Sequence, residues 1–151
     1  MPTREIETRE FGTVEIEEEE VITFPRGMPG FDGAREFVLL PLKEGSPFLI
    51  LQSVEEPALA FVTLEPVSFT TNYEFEIGEK TQELLDIEDE ADVGVVVIAN
   101  LDGEDNEIFV NLSAPVVINV RKNLARQVIL DQDHYPLRYA IELKPVKEGS
   151  A

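Results

Sequence analysis

The sequence contains no cysteine, a single histidine and no uninterrupted apolar run longer than five residues, Val95 to Ala99 being one of that length. Each shortage removes a class of function. Without cysteine there is no disulfide framework, no thiolate metal site and no cysteine nucleophile. Five apolar residues fall far short of the ~18 that suggest a membrane span. Residues 1–20 alternate charges with single apolar residues, so no secretory signal is expected and a cytoplasmic location fits. Asn111-Leu112-Ser113 then reads as a coincidental glycosylation triplet. Bases are scarce as well: 12 Lys and Arg against 31 Asp and Glu leave a formal charge of −19. Nucleic acid and anionic membranes are disfavoured as direct partners, because affinity for either rests on clustered Lys and Arg.

What is present is a foldable core, since 43% of the residues are hydrophobic, too many for an acidic disordered chain. At 151 residues one domain is expected. Its boundaries are 1–143, with 144–151, which carry Pro, Gly and Ser after the last periodic residue, as a frayed tail. Val and Ile number 27 against 9 Ala, the composition of strands. Thr13 to Glu17 alternates with period two and places Val14 and Ile16 on one face. Further strands are expected at 21–24, 37–42, 48–54, 59–64, 73–77, 93–101, 107–112, 115–120, 127–130 and 138–143, the spacing of a sandwich or barrel. Lys80 to Ile87 departs from period two and suits one short helix with Thr81 as N-cap. Asp102-Gly103 is a hairpin signal in a loop lengthened by further acids to Glu107. The expected architecture is therefore mainly β, an antiparallel, barrel-like single domain with one helix at about 80–87.

The search for reactive groups returns little. His134 is the one available imidazole, and nothing around the serines resembles a nucleophile elbow, so a hydrolase would have to combine His134 with carboxylates. The plainer reading of His134 is a residue bracing a loop. Gly27 and Gly30 flank Met28 and Pro29, which is turn chemistry and not a phosphate-cradling glycine loop. Carboxylate-rich stretches at 102–107 and 87–92 leave an acidic calcium-binding β module as an alternative function, although neither has EF-hand spacing and a solvated loop explains both.

Charge is distributed unevenly. Glu65 to Asp92 holds ten acids and one base, Lys80, whereas Ile108 to Leu130 holds no acid and three bases, Arg121, Lys122 and Arg126. The acidic stretch is either a solubilising face or a docking face for a basic protein, with Phe69, Tyr73 or Phe75 as apolar anchors. Tyr73, Phe75 and Ile77 alternate with Asn72, Glu74 and Glu76, so one set points away from the other.

Several segments, in order, carry a family resemblance: Phe24-Pro25-Arg26-Gly27-Met28-Pro29-Gly30-Phe31, Leu51-Gln52-Ser53 with Pro57 and Leu59-Ala60-Phe61, Asn72 to Ile77, Asn111 to Asn119, Gln127 to Leu130, then Tyr135 and Arg138. Together, from about Glu10 to about Arg138, they resemble the FliW flagellar assembly factors. The resemblance implies a β-barrel-like domain with no catalytic activity and no cofactor. It implies two protein partners, flagellin and CsrA, a small basic RNA-binding dimer that represses flagellin translation. Binding is mutually exclusive in that picture: free flagellin occupies the factor, and export of flagellin releases it to sequester CsrA.

Candidate partner-binding residues follow from the two readings together. Glu74, Glu76, Glu79 and Glu83 would face a basic partner. Met28 and Phe31, beside two prolines, and Gln52 and Ser53 are candidates for contact with flagellin's amphipathic terminal segments. Both segments also have a structural role open to them: Pro29-Gly30 sets a turn, Phe31 fills core, Gln52 satisfies buried backbone. Asn111 and Asn119 bracket Ala114-Pro115 and are expected to brace a strand kink through side chain to backbone bonds.

Overall fold

A computed structural model describes residues 2–31, 33–70, 72–101, 107–130 and 134–141. Its strands are β1 (Thr3–Thr8), β2 (Gly12–Glu17), β3 (Ile22–Thr23), β4 (Glu36–Pro41), β5 (Phe48–Ser53), β6 (Ala60–Leu64), β7 (Val93–Leu101), β8 (Ile108–Val110), β9 (Val116–Asn119), β10 (Leu124–Gln127) and β11 (Tyr139–Ile141), with one α-helix among the described residues, α1 (Glu79–Leu84). The mainly β expectation with a single short helix is met.

β7 makes the architecture. Its nine residues are long enough to serve two partners on one edge: Val93 to Val96 pair with β9, and Ala99 to Leu101 pair with β8. On the other edge Val97 and Ile98 pair with β6. Because β9 returns to β7, the strands β7, β6, β5, β4, β3, β10 and β9 close into a ring. Closure removes the open edges that a seven-stranded sheet would otherwise expose. All ring pairings are antiparallel except β10 with β3, a single parallel pair between Leu124 and Thr23. The Asn123 carbonyl accepts from the Thr23 N–H there at 2.9 Å.

Period two decides what fills the ring. On β4, Phe37 joins an interior cluster with Phe24, Met28, Leu51, Val96 and Val116, while Val38 faces outward and packs with Ile6 and Ile16. The outward set is covered by the β1–β2 ribbon, paired from Thr3↔Glu17 to Thr8↔Gly12. Phe24 and Phe37 meet edge to face at 5.0 Å, a favoured aromatic arrangement. A second cluster of Leu64, Val97, Ala99, Val110 and Leu112 lies where β8 leaves the ring, with Tyr73 and Tyr135 packed on it.

Four expectations are corrected. β1 is a strand that the sequence pattern does not reveal, because Arg4-Glu5-Ile6-Glu7 offers one buried side chain, Ile6, among charges. β10 begins three residues earlier than the expected 127–130, since Asn123, at φ 53°, turns the chain tightly after β9. Pairing with the neighbouring strand still runs on, through Val128 N–H to Pro115 C=O and Leu130 N–H to Ser113 C=O. The helix is shorter than 80–87 and its N-cap is Gly78, not Thr81. Asp86 ends it in the left-handed region, φ 53°, where the Ile87 N–H reaches back to the Gln82 carbonyl at 2.9 Å. Finally, Tyr73 to Ile77 is not a strand: its residues alternate between half-buried and exposed, but belong to no ladder. Loop residues 102–106, residues 142 and 143 of the last expected strand, and the 144–151 tail lie outside the described residues.

Candidate functional site

The Tyr73 to Ile77 segment replaces a ladder with side-chain ties. Tyr73, Phe75 and Ile77 are half-buried, and Asn72, Glu74 and Glu76 are exposed, so the apolar set faces the protein. The Tyr73 hydroxyl donates to the Leu112 carbonyl at 2.6 Å, and its ring meets Tyr135 edge to face at 4.9 Å. Burial, with Tyr135 as a lesser contributor, pushes the Tyr73 phenol well above its ordinary value, which keeps this donor protonated. Tyr135 in turn donates its hydroxyl to the Glu74 carbonyl. At the far end the Gln82 side-chain amide donates to the Ile77 carbonyl at 2.6 Å. An extended segment is thus held with one face outward, and the outward face is acidic.

α1 adds further exposed acids. Thr81 and Leu85 are buried, and Glu79 and Glu83 are exposed. The helix is pinned from below by Asn119, whose amide donates to the carbonyls of Leu85 at 2.8 Å and Asp86 at 3.1 Å. The same side chain accepts from the N–H groups of Arg121 and Lys122, so it ties α1 to the β9–β10 turn. Asn111 braces its own turn, accepting from the Ser113 N–H at 3.0 Å and hydroxyl at 2.9 Å.

Between the Tyr73 to Ile77 segment and the start of β7 runs a groove of about 400 Å³, joined by a recess of about 460 Å³ toward α1. Phe75, Ile77, Val93 and Val95 supply apolar lining, and Glu74, Glu76, Glu88 and Glu90 supply carboxylates. No base lines either, among the described residues. β6 stops pairing at Val97, so Val93 to Val96 has a paired strand only on its β9 edge among the described residues.

The bases of the acid-free stretch fold back against this region. Arg121 reaches Glu88 at 3.0 Å and Asp92 at 4.0 Å, and Lys122 pairs with Asp86. Glu74, Glu76, Glu79 and Glu83 have no ion pair among the described residues. Glu74, Glu76 and Glu79 therefore keep their charge available, Glu83 shares a pocket with Arg26, Lys80 and Arg126, and the inner acids are partly neutralised.

The other sequence candidates are placed differently. Met28 is 2% exposed and belongs to the interior cluster. Gln52 and Ser53 are fully buried: the Gln52 amide donates to the carbonyls of Ser53, Pro57 and Leu59, and its oxygen accepts from the Arg9 N–H at 3.0 Å. The Ser53 hydroxyl accepts from the N–H groups of Glu55 and Glu56. All three occupy structural positions and present nothing to a partner directly. Phe31 is 41% exposed, with its ring against Phe61 at 5.6 Å. The Pro29-Gly30 turn below it closes through the Phe31 N–H to the Met28 carbonyl at 2.8 Å, with Gly30 at φ 87° as a type II turn requires.

His134 lines a small pocket of about 260 Å³ with Tyr73, Tyr135 and Tyr139, and no carboxylate or serine lines it among the described residues. In the 87–92 stretch, Glu88 and Asp92 face Arg121, and Asp89 accepts from the Ala91 N–H at 3.1 Å. No group of three His, Asp or Glu among the described residues is placed to hold a metal ion. What sequence reasoning missed is the contribution of β7: Val93 and Val95 line the groove, yet their apolar run reads only as strand core.

Comparison with known proteins supplies the family. The model of the FliW protein family matches residues 5–141. The flagellar assembly factor FliW of Bacillus licheniformis is 45% identical over 130 residues, 86% of this chain and 91% of that one. Its counterpart from Oceanobacillus iheyensis is 40% identical over 145 residues, 96% of this chain and 99% of that one. A crystal structure of the flagellar assembly factor FliW superposes with a TM-score of 0.84 at 40% identity, covering 95% of this chain and all of the other. With a family model spanning most of its length and relatives this similar end to end, the chain belongs to the FliW family.

Proposed function

We propose that this protein is a non-enzymatic flagellar assembly factor of the cytoplasm, which binds flagellin and, when free of it, binds and antagonises the translational repressor CsrA, relieving repression of flagellin translation. The flagellar role is supported by the names of its relatives. The observation that carries the CsrA half is the set of four exposed carboxylates, Glu74, Glu76, Glu79 and Glu83, beside an apolar-lined groove.

An RNA-binding protein holds its ligand by positive potential. A partner of charge −19 docked beside it lowers that potential without occupying the RNA site. Screening restricts the action to about one Debye length, ~8 Å at physiological ionic strength, so the carboxylates must lie near the RNA-binding edge. The groove adds affinity: its apolar lining takes an apolar side chain from the partner while the carboxylates around it select for basic neighbours. Phe31 is the direct contact assigned to flagellin's terminal segments, with Met28, Gln52 and Ser53 holding its surroundings in shape.

Replacing Glu74, Glu76, Glu79 and Glu83 together with Gln is expected to weaken CsrA binding about ten- to thirtyfold at low salt and to flatten its salt dependence. The measurement is CsrA affinity and RNA release across a salt titration. Unchanged antagonism at every salt concentration overturns the electrostatic account. A pull-down from native cytoplasm that returns neither flagellin nor CsrA overturns the function itself.

A further inference from the structure

The twelve bases of this chain are outnumbered by acids, and four of the described ones have found a carboxylate: Arg4 pairs with Glu18, Arg9 with Glu10, Arg121 with Glu88 and Asp92, Lys122 with Asp86. Arg26, Lys80 and Arg126 have not. They converge instead on one pocket of about 340 Å³, which Glu83 and Leu84 also line. The three come from distant parts of the chain, the loop after Phe24, the first turn of α1 and strand β10. None of them has a carboxylate within 4.0 Å among the described residues.

Their donors are largely unspent. Arg26 and Lys80 are exposed and their side chains make no hydrogen bond among the described residues. Arg126 is half-buried and donates from Nη1 to the hydroxyl of Thr81 at 2.9 Å, which fixes the guanidinium and leaves its other N–H groups available. Thr81 is itself 6% exposed, so this anchor is rigid. Three like charges gathered at one concavity repel one another and favour an anion among them. Glu83 offsets one of the three, which leaves 3 − 1 = +2 on the lining.

We propose that this pocket binds a dianionic oxyanion, a phosphate group, either as free inorganic phosphate or as the phosphoryl group of a small ester. Two guanidinium forks match the paired oxygens of a phosphate, and the Lys80 ammonium adds a point charge. The lining charge equals that of the dianion and opposes its sign. The site is independent of the docking face except at Glu83, whose carboxylate weakens anion binding here.

The test is a titration at fixed ionic strength and neutral pH, followed by backbone amide and arginine Nε–H resonances, with sodium phosphate, phosphoserine and sodium chloride as probes. Phosphate or phosphoserine is expected to shift Arg26, Lys80 and Arg126 saturably, and chloride is not. Tighter binding of phosphate assigns the free anion as ligand, and tighter binding of phosphoserine assigns the ester. Arg26→Ala and Lys80→Ala, both at exposed positions, are each expected to weaken binding about five- to tenfold, and Glu83→Gln to tighten it about threefold. Shifts that do not saturate, that chloride reproduces, or that survive Arg26→Ala and Lys80→Ala unchanged overturn the site.

Discussion

The segment from Tyr73 to Glu83 and the pair Gln52-Ser53 are both polar stretches flanked by apolar residues, yet the fold treats them in opposite ways. The first keeps Glu74, Glu76, Glu79 and Glu83 in water, and the second is fully buried. The difference lies in charge. A carboxylate taken from water without a partner costs several kcal/mol or shifts its titration, whereas an amide is buried cheaply when every donor and acceptor is met. Gln52 meets four backbone groups. Polarity alone therefore does not mark a surface residue, but a run of unpaired carboxylates does.

Gln52→Ala gives the largest effect that would break this contrast. It removes the partner of the Arg9 N–H and of the Ser53 and Pro57 carbonyls, while the Leu59 carbonyl keeps the Ser53 N–H, and is expected to cost about 2–4 kcal/mol in urea unfolding. A loss below about 0.5 kcal/mol would mean that Gln52 is not a structural residue. Tyr73→Phe keeps the ring against Tyr135 but removes the bond to the Leu112 carbonyl, for an expected loss of about 1–2 kcal/mol.

The same tyrosine sets a pH dependence. Its phenol is raised in the folded state, so the folded protein holds the proton more tightly than the unfolded chain. The stabilisation is complete below the ordinary phenol value of about 10 and is lost as pH rises beyond it. Unfolding free energies measured from pH 9 to 11 should fall more steeply for the native sequence than for Tyr73→Phe. Parallel curves would show that Tyr73 is not the group responsible.

Smaller effects sharpen the contrast from the exposed side. Phe31→Ala is expected to lower stability by less than about 1 kcal/mol, because the ring is already partly in water, while weakening flagellin capture. The fourfold Glu→Gln replacement should leave urea stability within about 0.5 kcal/mol, so that any loss of CsrA binding is a loss of contact and not of fold. A large stability change there would show that the acidic face is structural after all.

Much of the fold was legible because period two and turn chemistry are local. Val14 and Ile16 announced β2, and Pro29-Gly30 announced a turn, which the structure makes type II. The failures have specific causes. Tyr73 to Ile77 has strand periodicity without a ladder, since alternation reports an extended backbone with one buried face and says nothing of whether a neighbour is within bonding reach. Thr81 has the right chemistry for an N-cap, but its hydroxyl is used by Arg126 while Gly78 begins the helix. Asn111 and Asn119 were legible as bracing residues; that Asn119 braces α1 was not, because its partners Leu85 and Asp86 lie 34 and 33 positions away.

Sequence by itself determined the β class and the strongly negative charge, which follow from local pattern and composition. Tertiary structure decided which strands close the ring, that Gln52 is buried on its outer face beneath the turn of the β1–β2 ribbon, that Glu74 and Glu76 point outward while Tyr73 and Phe75 point inward, and that Arg26, Lys80 and Arg126 share one pocket. Those outcomes depend on contacts between residues tens of positions apart, and the free energy of such contacts comes from burial and pairing that exist only once the chain has folded.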